Sequence, residues 1–234
     1  MAQVLTEAHK AQRLVFSQWL IEQPDETIFQ IMFDDEKWFQ LNQHPNRQNT
    51  RYWSVSKPDF VFDLKNQWVS KVMAFVVIVD GTVRPVFWHQ EDGKNVSVNT
   101  DQYIKAVLAV TDELPYSKLN IYWWQQDGAT CHTSKRSRAV LKRMFKDRII
   151  SRFEKNVWPA HSPDLNPLDY TFWGQAMAKV WEIKPKTIPE LKAVVEQYFA
   201  SLTSDFIKKC VLNIKKRANL CISQKGGHFE HLMK

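Results

Sequence analysis

The apolar and polar positions along the chain fall into alternating helix-like and strand-like runs. Residues 7–21 carry Leu14, Val15, Trp19 and Leu20 as part of an apolar stripe, with Gln, Lys and Arg on the other face. That spacing predicts a helix, ended by Gln23-Pro24-Asp25. Residues 28–33 read as a strand that finishes on Asp34-Asp35-Glu36. Successive strand side chains point to opposite faces, so only one of Asp34 and Asp35 shares a face with Ile31 and Phe33. A period of two selects Asp35. Residues 72–79 are unbroken apolar, as expected of a strand covered on both faces. Asp80-Gly81 predicts a hairpin turn into a return strand over 83–88, and Pro85 places that strand at a sheet edge. After a second turn at Asp92-Gly93, residues 100–113 predict a helix through Tyr103, Ile104, Val107, Leu108 and Val110. A strand over 119–124 then runs into Gln125-Gln126-Asp127-Gly128. A basic helix over 133–145, a short strand at Ile149-Ile150, and helices near 167–182, 187–201 and 204–222 complete the pattern.

This order is strand, hairpin, helix, strand, helix, strand, then helices. It predicts an α/β fold: a ribonuclease H-like mixed five-stranded sheet flanked by helices, with additional C-terminal helices. Hydrophobic residues make up 44% of the chain, and ten Trp with fourteen Phe supply a core and argue against disorder. The formal charge of +7 points to a polyanionic partner, of which nucleic acid is the commonest. Within 42–68, Arg47, Arg51, Tyr52 and Trp53 interleave cations with aromatics, the composition of a surface that tracks a backbone and stacks bases. No apolar run reaches the length of a membrane span, so no membrane partner is expected. Cys131, Cys210 and Cys221 are odd in number and lack metal-site spacing, which favours reduced thiols. Lys215-Lys216-Arg217 reads as a solvated basic face or a localisation signal.

The chemistry centres on three carboxylates. In 158–174, Asn166 or Asp164 suits a helix N-cap and Pro167 suits the first turn. Asp169 then falls where the helix dipole favours a charged carboxylate. Asp35 and Asp127 each close a strand, and neighbouring first and fourth strands would bring them to one end of the sheet. Hard oxygen ligands from separate elements describe a site for Mg²⁺ or Mn²⁺. Two such ions about 4 Å apart serve phosphoryl transfer. His132 and His161 lack zinc spacing and read as hydrogen-bonding or packing residues. Gly128 leaves room for close approach of backbone or phosphate.

Three blocks then make a resemblance specific. Phe33-Asp34-Asp35-Glu36-Lys37-Trp38-Phe39, Gln126-Asp127-Gly128-Ala129 with His132, and Ser162-Pro163-Asp164-Leu165-Asn166-Pro167-Leu168-Asp169-Tyr170 resemble the signature blocks of mariner-superfamily transposases. Lys225-Gly226-Gly227-His228-Phe229 resembles that family's C-terminal segment. The resemblance implies a DDE/D catalytic domain that cuts transposon ends and joins the freed 3′-hydroxyl to new DNA. Asp35, Asp127 and Asp169 would be its catalytic, metal-binding triad for two Mg²⁺ or Mn²⁺ ions. It also implies transposon-end and target DNA as partners, a homodimer, and a nuclear location. Asp164 and Asn166 would act as structural caps.

Between Asp35 and Asp127 lie 91 residues, as in the family, and between Asp127 and Asp169 lie 41, longer than in mariner proper. The extra length falls around 145–156. Residues 1–25 resemble a linker helix, 26–182 the catalytic core with a clamp-like loop at 42–68, and 183–234 a helical extension of the same domain. Only 34 residues precede Asp35, too few for the family's paired helix-turn-helix modules, so impaired activity is expected. Arg47, Arg51, Lys135, Arg136 and Arg138 are candidate DNA contacts. The alternatives are a catalytically silent transposon-derived protein that binds DNA or a partner, and a cellular ribonuclease of the same fold.

Overall fold

A computed structural model of the chain describes residues 4–41, 70–112 and 114–233. The loop at 42–68, with Arg47 and Arg51, lies outside the described residues. In chain order the first elements are α1 (Glu7–Glu22), α2 (Asp25–Phe29), β1 (Ile31–Gln40), β2 (Lys71–Val79), β3 (Thr82–Val83), β4 (Phe87–Trp88), β5 (Gln90–Glu91) and β6 (Lys94–Asn95). Then come α3 (Thr100–Thr111), α4 (Tyr116–Leu119), β7 (Trp123–Gln125), α5 (Thr130–Thr133), α6 (Lys135–Phe145) and β8 (Ile149–Ile150). A 3₁₀ turn (Pro163–Leu165) and a π-helical turn (Leu168–Phe172) lead into α7 (Trp173–Ile183), α8 (Ile188–Ala200) and α9 (Ser204–Ser223).

The main sheet has the order β3-β2-β1-β7-β8, with β4 also paired to β2. β1 runs antiparallel to β2 and parallel to β7, and β7 is parallel to β8. This is the mixed ribonuclease H-like sheet that the element order predicts. The expected return strand over 83–88 is split into β3 and β4, because Pro85 between them has no N–H to give the ladder. Alternation along the strands builds two cores. Ile31 and Phe33 of β1 with Val72, Ala74, Val76 and Ile78 of β2 pack under α1, α7, α8 and α9. Met32, Phe75, Val77 and Val79 pack on the other face against α3 and α6.

Several boundaries differ from the sequence reading. Residues 28 and 29 close α2, and β1 continues through the acids to Gln40, so Asp35 lies within the strand and does not close it. The cause is the partner: β2 is long and pairs with β1 from Phe33↔Ile78 to Gln40↔Lys71. The pairing with β7 ends sooner, at Phe33↔Gln125. Beyond it, β1 has no paired strand on that side among the described residues, and Asp35 occupies that opening. Residues 116–119 are helical, so the fourth strand is shorter than 119–124. Ser134 breaks the helix expected over 133–145 and caps α6 by accepting from the Ser137 N–H at 3.1 Å.

Helix α1 corrects the assignment of its faces. Its buried stripe is Arg13, Phe16, Ser17 and Leu20, whereas Val15 is 72% exposed. Arg13, expected on the polar face, is 0% exposed. Its guanidinium donates bidentately to Asp164 (2.6 Å to each oxygen), to Ser162 Oγ (2.9 Å) and to the Gly226 carbonyl (2.8 Å). One side chain thus joins α1, the turn before the third acid, and the C-terminal Gly226-Gly227 pair. Gly226 has φ +80°, and a Cβ there would stand 2.3 Å from the Lys10 carbonyl oxygen. The glycine is required both by its backbone conformation and by the closeness of α1.

Removing one partner of a buried pair strands the other charge. Arg13→Met should therefore lower unfolding stability by about 3–5 kcal/mol in urea denaturation, with Arg13→Met/Asp164→Leu recovering part of the loss. Equal loss in the single and double variants would show that the charge pair is not what is being broken. Gly226→Ala should cost about 1–3 kcal/mol by overpacking against α1.

Candidate active site

Asp35, Asp127 and Asp169 come from three separate elements and line one cleft of about 670 Å³. Its other walls include Gln12 of α1, Gly128, Arg152, His161 and Asn166. The period-two reading of the first block holds. Asp35 faces the core that contains Trp173, whose Nε1–H donates to Asp35 Oδ2 at 2.6 Å. Asp34 faces the opposite core, with Oδ2 lying 2.9 Å from the Tyr103 hydroxyl. That hydroxyl is also 2.6 Å from Gln126 Oε1 and accepts from Trp124 Nε1–H. Its one proton serves only one of the two oxygens. Burial pushes Asp34 well above the usual carboxylate range, and protonated Asp34 supplies the second.

Asp127 follows β7 and is aimed by His132. Nδ1–H of His132 donates to Asp127 Oδ1 at 2.6 Å, and its Nε2–H donates to Glu36 Oε1 at 3.0 Å. Burial alone would lower the histidine pKa. Glu36 and Asp127 outweigh it and hold the ring well above its ordinary 6.5, as an imidazolium. Burial would likewise raise Asp127, but the hydrogen bond and charge of His132 carry it below 3.8. The hydrogen-bonding role read for His132 therefore holds. His161 packs its ring 4.7 Å from that of His9.

Asp169 sits in the π-helical turn. The Trp173 N–H reaches back five residues to the Leu168 carbonyl, and this wide turn sets the Trp173 indole beside Asp35. Asn166 Oδ1 accepts from the Leu168 N–H at 3.0 Å, and its Nδ2 donates to the Asp34 carbonyl at 3.2 Å. Asn166 is thus a cap that also ties the third block to β1. Asp164 is not that helix's cap; it is the buried partner of Arg13. Asp169 reaches solvent through the cleft, yet burial by the surrounding protein comes first in pushing its carboxyl up to about 6. Asp127 adds to the shift, and Lys37 opposes it. The helix dipole expected to keep Asp169 ionised is outweighed. Burial, then Asp169, then Glu36 push Asp35 well above the usual range.

Among the described residues, no three His, Cys, Asp or Glu side chains stand close enough to hold an ion as they are. The donor set nevertheless fits a cation. These are hard oxygens; burial first, and then a neighbouring acid (Asp169 for Asp35, Asp127 for Asp169), raises two of the three pKa values, a conflict that a bound cation relieves.

The other candidate contacts lie elsewhere. Arg136 pairs with Asp101 (2.7 Å), Arg138 pairs with Glu154 (2.9 Å), and neither lines the cleft, nor does Lys135. Arg217, read as part of a solvated cluster, is 7% exposed. It donates to the Asp164 carbonyl at 3.1 Å and lies 4.0 Å from the Tyr170 ring centroid. The site residues that sequence reasoning missed are Arg13, Glu36, Trp173 and Arg152. Only Glu36 carried a signal, as the next residue on the Asp34 face of the strand. Cys131, Cys210 and Cys221 are unpaired. No helix among the described residues is long and apolar enough to cross a membrane.

The chain thus has a ribonuclease H-like fold with three carboxylates opening into one cleft. No family model matches the sequence. The chain is similar to the Tc3 transposase of Caenorhabditis elegans, 25% identical over 232 residues that cover 97% of this chain and 64% of that protein. It is also similar to the Tcb1 transposase of Caenorhabditis briggsae, 22% identical over 136 residues, covering 57% of this chain and 47% of that protein. The chain thus spans less than two thirds of the length of either relative. Its fold is that of the catalytic domain of Mos1 mariner transposase (TM-score 0.71, 18% identity, 98% of this chain and 99% of that one). The Mos1 paired-end complex with Mn aligns at TM-score 0.80, 20% identity, over 98% of this chain and 66% of that one. These likenesses agree with the resemblance drawn from the three acidic blocks.

The raised pKa of Asp169 has a consequence for stability. Between its ordinary value of 3.8 and about 6, the folded chain keeps a proton that the unfolded chain has released. Stability of the metal-free protein should therefore fall as pH rises through that window. Asp169→Asn should flatten the slope, read from thermal unfolding across pH. An identical slope in the variant would rule out Asp169 as its source.

Proposed function

We propose that this chain is the catalytic domain of a transposase, which cleaves DNA strands and transfers them during transposition. The observation that carries the reading is the convergence of Asp35, Asp127 and Asp169, from a strand, a strand end and a π-helical turn, on one open cleft. The similarity to Tc3 and Tcb1 transposases along the chain, and the fold shared with Mos1, support it. The substrates are transposon ends and target DNA, reached in the nucleus by a homodimer. Residues 26–182 form the core, braced by the helix within 1–25 and by the helical extension at 183–234.

Asp35, Asp127 and Asp169 would hold two Mg²⁺ or Mn²⁺ ions. When bound, these ions supply Lewis-acid stabilisation of the attacking and leaving oxygens. The chain's own residues prepare that site. His132 keeps Asp127 ionised and oriented, while Glu36 on the far ring nitrogen keeps the imidazole protonated. Trp173 fixes one oxygen of Asp35. Asn166 holds the third block against β1, so Asp169 keeps its place relative to Asp35. The cleft then presents a phosphodiester for in-line attack by water and later by the freed 3′-hydroxyl. In each step a P–O bond forms to the attacking oxygen, and the bond to the leaving oxygen breaks.

The test is nicking of DNA duplexes carrying candidate terminal repeats, in Mn²⁺ or Mg²⁺, by the purified protein and by Asp127→Ala. Metal-dependent cutting should fall at least a hundredfold in the variant, the order of loss seen when a dominant electrostatic group is removed. Cutting that persists unchanged in Asp127→Ala, or a wild-type protein that binds DNA without ever cutting it, would sink the enzymatic reading.

A further inference from the structure

The acidic cleft also contains a cation that no carboxylate among the described residues has claimed. Arg152 lines it beside Asp127 and Gly128. Its stem packs over Gly128, with Cδ 3.5 Å from where a Cβ on that glycine would stand. Nearby cations are occupied: Arg138 and Lys142 by Glu154, Arg136 by Asp101, and Arg13 by Asp164. Among the described residues, Arg152 makes no hydrogen bond or ion pair. Its guanidinium lies 5.2 Å from the centroid of the Phe153 ring. Asp127, on the same cleft wall, is already engaged by His132.

Phe153 is 53% exposed, a large apolar ring next in the chain to the cleft-lining Arg152. Its backbone is tied down. Arg138 lies 5.6 Å from its centroid, donates to the Phe153 carbonyl at 3.2 Å, and is itself anchored on Glu154 at 2.9 Å. The segment is closed by Ser151 N–H to the Asn156 carbonyl (3.0 Å) and Trp158 N–H to the Ser151 carbonyl (3.3 Å). An exposed ring on a tethered backbone, beside a guanidinium with no carboxylate partner among the described residues, matches the two halves of a nucleotide. The cation suits a phosphate, and the ring suits the face of an unstacked base.

We propose that Arg152 and Phe153 form a nucleotide subsite, in which Arg152 takes a DNA phosphate next to the one presented to the carboxylates and Phe153 stacks an unpaired base. This rests on the reading that the cleft handles DNA. It gives the cleft a preference for strand ends that are frayed or unpaired. It also places a positive charge where a polyanion must approach three acids.

The experiment is equilibrium binding, in metal-free buffer, of a blunt duplex and of the same duplex with an unpaired end labelled with 2-aminopurine. Arg152→Gln should weaken both probes and reduce the slope of log K against log salt by about 0.7–0.9, the share of one phosphate contact. Phe153→Ala should weaken the unpaired-end probe about tenfold and leave the blunt probe nearly unchanged, abolishing the wild-type change in 2-aminopurine fluorescence. Phe153→Trp should retain both affinity and fluorescence change. Both positions are exposed, so these variants leave the core intact. Wild-type binding with unchanged slope and fluorescence in the variants would overturn the subsite and leave the DNA reading standing. A wild-type protein that binds neither probe would overturn both.

Discussion

The buried pair of Arg13 and Asp164 is the constraint on which the rest of the site depends. A guanidinium removed from water is tolerable only with near-complete satisfaction of its donors. Here it meets both carboxylate oxygens, a serine hydroxyl and a backbone carbonyl. Those acceptors belong to segments about 150 and 210 residues away, so the pair fixes topology more than it adds net stability. The consequences run outward from Asp164. Its carbonyl receives Arg217 of α9, whose guanidinium covers Tyr170, the neighbour of Asp169. Two residues on, Asn166 reaches the backbone of β1. The third acid is therefore located by a chain of polar contacts that begins on the first helix.

Against that rigid frame, the acids themselves are in conflict. Burial comes first in raising both Asp35 and Asp169; Asp169 then adds to the shift of Asp35 and Asp127 to that of Asp169, while Asp127 is lowered by an imidazolium. The unliganded site is asymmetric: one carboxylate is committed to its charge, and two are reluctant to ionise. Such an arrangement suits a site that gains its charge complement from outside, from cations and from the substrate that accompanies them. The tension is local, because the two apolar cores on either side of the sheet supply the stability that the cleft gives up.

Much of this was legible in the sequence, for identifiable reasons. Unbroken apolar residues over 72–79 gave the central strand, Pro85 gave the edge, and alternation from Ile31 and Phe33 gave the face of Asp35. What could not be read were features decided by partners far along the chain. Arg13 has the composition of a surface residue, and only Asp164, Ser162 and Gly226 make a buried position possible. Arg217 was hidden in the same way within a basic triplet. The length of β1 beyond the acids depended on how far β2 runs beside it, a register no local pattern contains. The π-helical turn at Leu168 had no signal beyond Pro167.

Three consecutive acids on one strand show how little their chemistry is set by residue type. Asp34 and Glu36 point to the same face by alternation, yet Asp34 is enclosed with Tyr103 and kept neutral, while Glu36 reaches the imidazolium of His132. Asp35 points the other way, beyond the end of β7, into the cleft. A slip of one residue in the β1–β2 register would exchange these fates, burying the cleft acid against Tyr103 and turning the neutral one toward Asp169. Eight paired residues between β1 and β2 hold that register. The length of the central hairpin, extending well past the acids it carries, is therefore what determines which carboxylate reaches the cleft.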